Sequence, residues 1–139
     1  MRPAFLLALC GCVLLLDGPA ASEDDPPVDC STAETQMDMT ICAQRDFGDA
    51  DDELNAQYKL TRKYTAAQDA ELEADMRGAE KALRAAQRAW VSFRDAHCEA
   101  YGFAARGGSM EPMLVANCLA ELSRERTKQL KVLADGQAE

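Results

Sequence analysis

The chain has 139 residues, of which 28% are charged, with 24 acidic against 15 basic side chains and a formal net charge of −9 at pH 7. That length suits one domain. The acidic surface argues against binding to nucleic acid or to an anionic membrane and leaves neutral or cationic partners.

The first residues, "MRPAFLLALCGCVLLLDGPAAS", set one Arg before an apolar run and end on small residues. This is the layout of a secretory signal peptide, expected over residues 1–21. The run from Ala4 to Leu16 is shorter than the ~20 residues of a permanent membrane span, and Asp17 ends it. Cys12 follows Leu9, Cys10 and Gly11 in a loose lipobox-like order, so a lipid anchor is the rival reading. Against it, apolar residues continue past Cys12. The mature chain is expected in the periplasm or outside the cell. Its net charge stays at −9, because the leader carries one Arg and one Asp.

Four cysteines remain after the leader: Cys30, Cys42, Cys98 and Cys118. An even number in an oxidising compartment reads as two disulfides. With no C-x-x-C pair and a single His, the spacing does not fit a zinc site. Neither a metal nor any other cofactor is expected.

Residues 22–30 are acidic and proline-containing and read as an extended lead-in. A helical domain is expected over residues 31–134, with a disordered tail at 135–139. Ser31 and Glu34 match a capping box for a helix from about Thr32 to Arg45, with Met37, Ile41 and Cys42 on one side. Gly48 is expected to stop or bend this helix, and Asp49 to cap a second one from Ala50 to about Ala66. There Leu54, Tyr58, Thr61 and Thr65 form the inward stripe, and the chain reverses near Ala67 and Gln68.

The strongest periodic signal follows Asp69. Leu72, Met76, Ala79, Leu83, Ala86, Trp90, Phe93 and His97 alternate spacings of four and three, a heptad-like seam that predicts a long helix to about Phe103. Gly78 lies off that seam at a cost of ~1 kcal/mol relative to Ala. "RGGS" at 106–109 breaks the helix, with Ser109 expected as the next N-cap and Pro112 in the first turn. A last helix then runs to about Ala134, facing Val115, Cys118, Leu122, Leu130 and Leu133 inward. No window alternates as a strand would. The expected fold is all-α, a small antiparallel bundle of about three to four helices stapled by two disulfides.

The segment "QRAWVSFRDAHC", residues 87–98, gathers the only Trp, the only His and one Cys. Trp90 and Phe93 read as core, and His97 as a seam-edge imidazole. Gln87 and Arg94 flank Trp90, so the Arg94 guanidinium at the edge of the seam calls for a carboxylate, with Asp51 or Asp52 in "DADDELN" as partner. Asp95 is expected to point elsewhere. No nucleophile motif accompanies His97: "GGSM" lacks the G-x-S-x-G context. No catalytic residue is assigned, and the chain is read as a non-enzyme.

For the disulfides, helix lengths bring Cys42, Cys98 and Cys118 to one end of the bundle, with Cys30 able to fold back. Crossing bridges, Cys30 with Cys98 and Cys42 with Cys118, close longer loops and are favoured on that ground. Cys30 with Cys42 and Cys98 with Cys118 is the alternative.

These residues together resemble the LprI-like family of small secreted bacterial proteins, named for a lysozyme inhibitor. The resemblance is carried by "DC" at Asp29 and Cys30, Cys42, "ADDELN" at 50–55 with Tyr58, "AQRAWVSFRDAHC" at 86–98, "GGS" at 107–109 and "CLAELSRERTKQL" at 118–130. It implies a binding protein that blocks a cationic lysozyme. The alternative is a non-catalytic module that binds another envelope protein. The partner contact is expected on "ARGGSMEP", through Gly107, Gly108, Ser109, Met110 and Glu111, whose glycines let backbone approach a surface closely. Leu54, Tyr58, Gln87, Trp90, Phe93 and Arg94 are assigned structural roles. The oligomeric state is left open.

Overall fold

A computed structural model describes residues 28–135. The expected leader, with Cys10 and Cys12, most of the lead-in, and the tail beyond Asp135 lie outside the described residues. Three α-helices make up the domain: α1 over Gln36–Glu71, α2 over Ala79–Gly102 and α3 over Glu111–Ala134. A short 3-10 turn, Phe103–Ala105, follows α2. The order is up-down-up, so α2 runs antiparallel to both neighbours. Asp51 of α1 meets Arg94 of α2 and Gln87 of α2 meets Arg126 of α3, whereas Gln36 and Asp46 reach Met113 and Arg124 in the same order along α3. The α1–α3 contact is the most extensive of the three.

The first two expected helices are one. Gly48 is exposed and a Cβ there would touch nothing, so it bears on no neighbour that could break α1, and Asp49 caps nothing. Nor does the helix begin at Thr32. Asp29 binds the Ser31 N–H and hydroxyl at 2.9 and 2.8 Å, which takes Ser31 out of capping. Thr35 is the cap instead: its Oγ1 accepts the Asp38 N–H at 3.1 Å and donates to the Asp38 carboxylate at 2.7 Å. Thr35 and Asp38 thus pair reciprocally four residues later, through the Thr35 hydroxyl rather than the backbone N–H that a capping box uses. Met37, expected to face inward, is exposed.

The chain reverses at residues 72–78 rather than at Ala67 and Gln68, and this removes the first turns of the expected long helix. Asp69, near the end of α1, accepts the N–H groups of Gly78, Ala79 and Glu80 at 2.9, 2.9 and 3.1 Å. Three of the four donors that a helix start leaves open are thereby satisfied by one carboxylate. Gly78 sits at φ +152°, a conformation that side chains oppose, so it is the N-cap of α2 and not a mid-helix residue. Leu72 and Met76 consequently fall in the turn and are exposed.

The buried face of α2 is also rotated from the expected seam. Leu83, Gln87, Arg94, Cys98 and Gly102 point inward, while Ala86, Phe93 and His97 are exposed. Phe93, assigned to the core from sequence, is 56% exposed. Trp90 is partly buried and packs with Tyr58 against the core of Leu54, Leu83 and Leu130. The inward stripe Leu54, Thr61 and Thr65 of α1 is as the periodicity gave it. Thr61 spans two helices, with its hydroxyl at 3.0 Å from both the Gln57 and the Leu130 carbonyl. On α3, Cys118 and Leu130 are buried and Leu133 is exposed.

Two disulfides close the structure, Cys30–Cys42 and Cys98–Cys118. The favoured crossing pattern is thus corrected to the sequential one. Cys98 and Cys118 face each other across the antiparallel α2–α3 pair, and Cys42, in the second turn of α1, is within reach of the lead-in that carries Cys30.

Candidate functional site

The interior of the bundle holds a polar cluster built on Arg94. Its side chain is 10% exposed and pairs with Asp51 at 2.7 Å, as the sequence suggested. It also pairs with its neighbour Asp95 at 2.9 Å, contrary to expectation, and donates to the Ser123 hydroxyl of buried Ser123 at 3.2 Å. Its guanidinium carbon lies 5.3 Å from the Phe47 ring centre and 5.2 Å from that of Trp90. A planar cation with three acceptors and two aromatic neighbours joins all three helices. Gln87 is buried beside this cluster and accepts from Arg126 at 3.1 Å. Arg126 meets Gln87 and Gln129 rather than a carboxylate, and burial lowers its pKa. These contacts fix the relative positions of the three helices.

The exposed candidate is the α2–α3 connection. Gly102 ends α2 against α3, where a Cβ would come within 2.5 Å of Val115 Cγ2, so a larger residue would force the Val115 side chain or the helix to shift. Just before it, Cys98–Cys118 ties the two helices together. The loop therefore leaves from a rigid base. Its own order comes from Glu111, whose carboxylate pairs with Arg106 at 2.6 Å and accepts the Gly107 N–H at 2.7 Å. The Gly107 N–H, and then Arg106, hold the Glu111 carboxyl below its usual pKa. Gly107 takes φ +78° and the Gly108 N–H closes on the Ala105 carbonyl at 2.9 Å. Arg106 lies over the Phe103 ring, 4.4 Å from its centre.

The five residues expected to contact a partner are thus brought together, but not in equivalent roles. Gly107, Gly108 and Ser109 are exposed, and Met110 is 46% exposed. Gly108, Ser109 and Met110, with Phe103 and Arg106, rim an open concavity of about 520 Å³. Glu111 is committed to holding the loop. Ser109 does not cap α3: Met110 occupies that position without a side-chain bond, and Pro112 lies in the first turn as expected. Missed from sequence were Phe103 and Tyr101, both 54% exposed at this end of the molecule. The seam as read stops at His97, and Tyr101 lies one further step of four along it.

All four described cysteines are in disulfides, so none is a free nucleophile. Among the described residues no group of His, Cys, Asp or Glu is arranged to hold a metal ion, and no helix is long and apolar enough to cross a membrane. What the fold and surface define is a disulfide-stapled, all-α domain with an ordered loop at one end. Residues 29–130 match the family "Lysozyme inhibitor LprI", and the chain belongs to it. It is also 50% identical, over 96% of its own length and 94% of the relative's, to an uncharacterized protein of Rhizobium meliloti (strain 1021). No solved structure matches the chain. The two disulfides and the family together point to an extracytoplasmic protein.

Proposed function

We propose that this protein is an exported inhibitor of lysozyme that binds the enzyme and obstructs its cleft without chemistry of its own. The observation that carries this reading is the family match, which spans all but the extreme ends of the described domain and includes both disulfides. The net charge of −9 supports it, because an acidic domain associates fast with a cationic enzyme. The loop at Ala105–Pro112 supports it too. Glu111 and the Cys98–Cys118 bridge already restrain it, so less entropy is lost on contact. Export through the leader at residues 1–21, to the periplasm or beyond, is part of the proposal.

The test is the clearing of a bacterial cell-wall suspension by lysozyme, with and without the purified mature protein. Inhibition that rises with protein concentration and saturates near equimolar is expected. Unchanged clearing at a large excess would leave the alternative, an envelope module whose partner is another protein.

A further inference from the structure

Along the outer flank of α2, Phe93, His97 and Tyr101 recur every four residues and so stand in one row. The Phe93 and His97 rings stack with their centres 5.4 Å apart, and all three residues are exposed. Large rings left in water on a domain this small mark a surface with a contact to make. The row borders a groove of about 260 Å³ between α2 and α3, where His97 and Tyr101 face Leu114, Asn117, Glu121 and Leu122. Cys118 lines it as well, and its bridge to Cys98 ties the two walls together.

The chemistry of the lining selects a guest. Glu121 is its one carboxylate, and no Lys or Arg lines it. No hydrogen bond or ion pair within the described residues engages the Glu121 side chain. An anionic guest would be repelled by Glu121, and a purely apolar one would strip water from Glu121 and Asn117 without replacing it. A long aliphatic stem with a cationic end satisfies both halves of the groove. The stem would pack on Leu114 and Leu122, and the cation would meet the Glu121 carboxylate, the Asn117 carbonyl and the Tyr101 ring face.

We propose that this groove seats a Lys or Arg side chain of a cationic partner protein, with the Phe93–His97–Tyr101 row packing against the partner around it. The charge of the whole domain favours such a partner, and an aromatic row beside a buried cation has the composition of an interface centre. Naming lysozyme as that partner rests on the inhibitor reading. The groove itself does not.

The experiment has two arms. In the first, the isotope-labelled mature protein is titrated with capped Gly-Lys-Gly and Gly-Arg-Gly and followed by NMR, up to about 20 mM because a single anchored side chain binds weakly. Shift changes confined to His97, Tyr101, Asn117 and Glu121 are expected, and they should vanish in Glu121→Lys and Tyr101→Ala. In the second, calorimetry with egg-white lysozyme should show an affinity loss of about tenfold or more in each variant. Both positions are exposed, so melting temperatures close to wild type establish that the variants remain folded. Absence of localised shifts with either tripeptide overturns the groove. Lysozyme binding unchanged in both variants overturns it as the docking site and leaves the inhibitor reading intact. Localised tripeptide shifts in a protein that fails to bind lysozyme would keep the groove and remove the inhibitor reading.

Discussion

The Arg94 guanidinium reaches from α2 to the Asp51 carboxylate of α1 at 2.7 Å, with the Ser123 hydroxyl of α3 at 3.2 Å on the same nitrogen. One nitrogen thus joins all three helices. Arg94→Ala removes a nearly buried cation and its packing on Trp90 and Phe47. Asp51 keeps a third of its surface in water, so it can be rehydrated, and the loss should be about 2–3 kcal/mol, below that of a fully buried pair. Denaturant unfolding of Arg94→Ala, Asp51→Ala and the double variant checks this. The two losses should fall short of adding, by about 0.5 kcal/mol or more. Strict additivity would mean that the pair contributes nothing.

Two helical glycines should respond to alanine with opposite sign. Gly48 lies on an open face of α1, where a methyl group meets nothing, so Gly48→Ala should stabilise by about 0.5–1 kcal/mol through helix propensity alone. Gly102 lies against α3, where the same methyl group would sit 2.5 Å from Val115 Cγ2. Gly102→Ala should cost about 1–3 kcal/mol by forcing the helices apart. Thermal melts of the two variants decide both signs, and a stabilised Gly102→Ala would contradict the close approach.

These features differ in how far the sequence exposed them. The Arg94–Asp51 pair was legible because a cation at an apolar seam needs a carboxylate and one acidic segment lay within reach. Leu54, Thr61 and Thr65 were legible as a stripe with no competing face. On α2, however, Leu83 and Trp90 fit two stripes, one through Ala86, Phe93 and His97 and the other through Gln87, Arg94 and Cys98. Hydrophobicity prefers the first. The second wins because Cys98 is bonded to α3 and Arg94 is held by Asp51 and Ser123, which are tertiary facts. The disulfide pairing failed for a related reason: loop-closure entropy weighs the unfolded chain and does not say which sulfurs meet. The loop at Ala105–Pro112 was legible as a turn from its glycines, whereas the inward role of Glu111 depends on where Arg106 and the Gly107 N–H come to lie.

Acid should loosen the α1–α2 turn. Three N–H groups, that of Gly78 foremost, hold the Asp69 carboxyl below its ordinary pKa. A carboxylate with a lowered folded-state pKa contributes stability above the unfolded value, near 3.9, and loses it as the pH falls through the folded value. The melting temperature should therefore drop below about pH 4, and Asp69→Ala, already without the cap at pH 7, should show a smaller acid-induced drop. An identical pH profile in the variant would show that Asp69 is not the cap.

The two disulfides should not open together. Cys98 is wholly buried and Cys118 nearly so, while Cys30 is exposed and Cys42 only half-buried. Under a mild thiol reductant Cys30–Cys42 should be reduced first. Replacing both of its cysteines by Ala should cost about 2–3 kcal/mol, against about 3–5 for Cys98 and Cys118, whose bridge closes the longer loop and lies in the core. Mass mapping of alkylated cysteines over a time course reads the order. Simultaneous loss of both bridges would mean that the domain opens as one unit.

Contact and scaffold within the α2–α3 loop can be separated by Met110 and Glu111. Glu111 is tied to Arg106 and to the Gly107 N–H, so it shapes the loop rather than offering a free carboxylate. Glu111→Gln keeps the size and one acceptor but loses the charge that pairs with Arg106. It should lower the melting temperature slightly and widen the NMR signals of residues 106–109 by releasing Gly107 from φ +78°. Met110 makes no such bond and stands at the rim of the concavity formed with Phe103 and Arg106. Met110→Ala should leave the unfolding free energy within about 0.5 kcal/mol of wild type, as for an exposed side chain. If the loop touches lysozyme, Met110→Ala should weaken inhibition at full stability. Glu111→Gln should weaken it only to the degree that the loop loses order. Full inhibition by both variants, with the loop signals of Glu111→Gln visibly broadened, would take the loop out of the contact and leave the aromatic row of α2 to carry it.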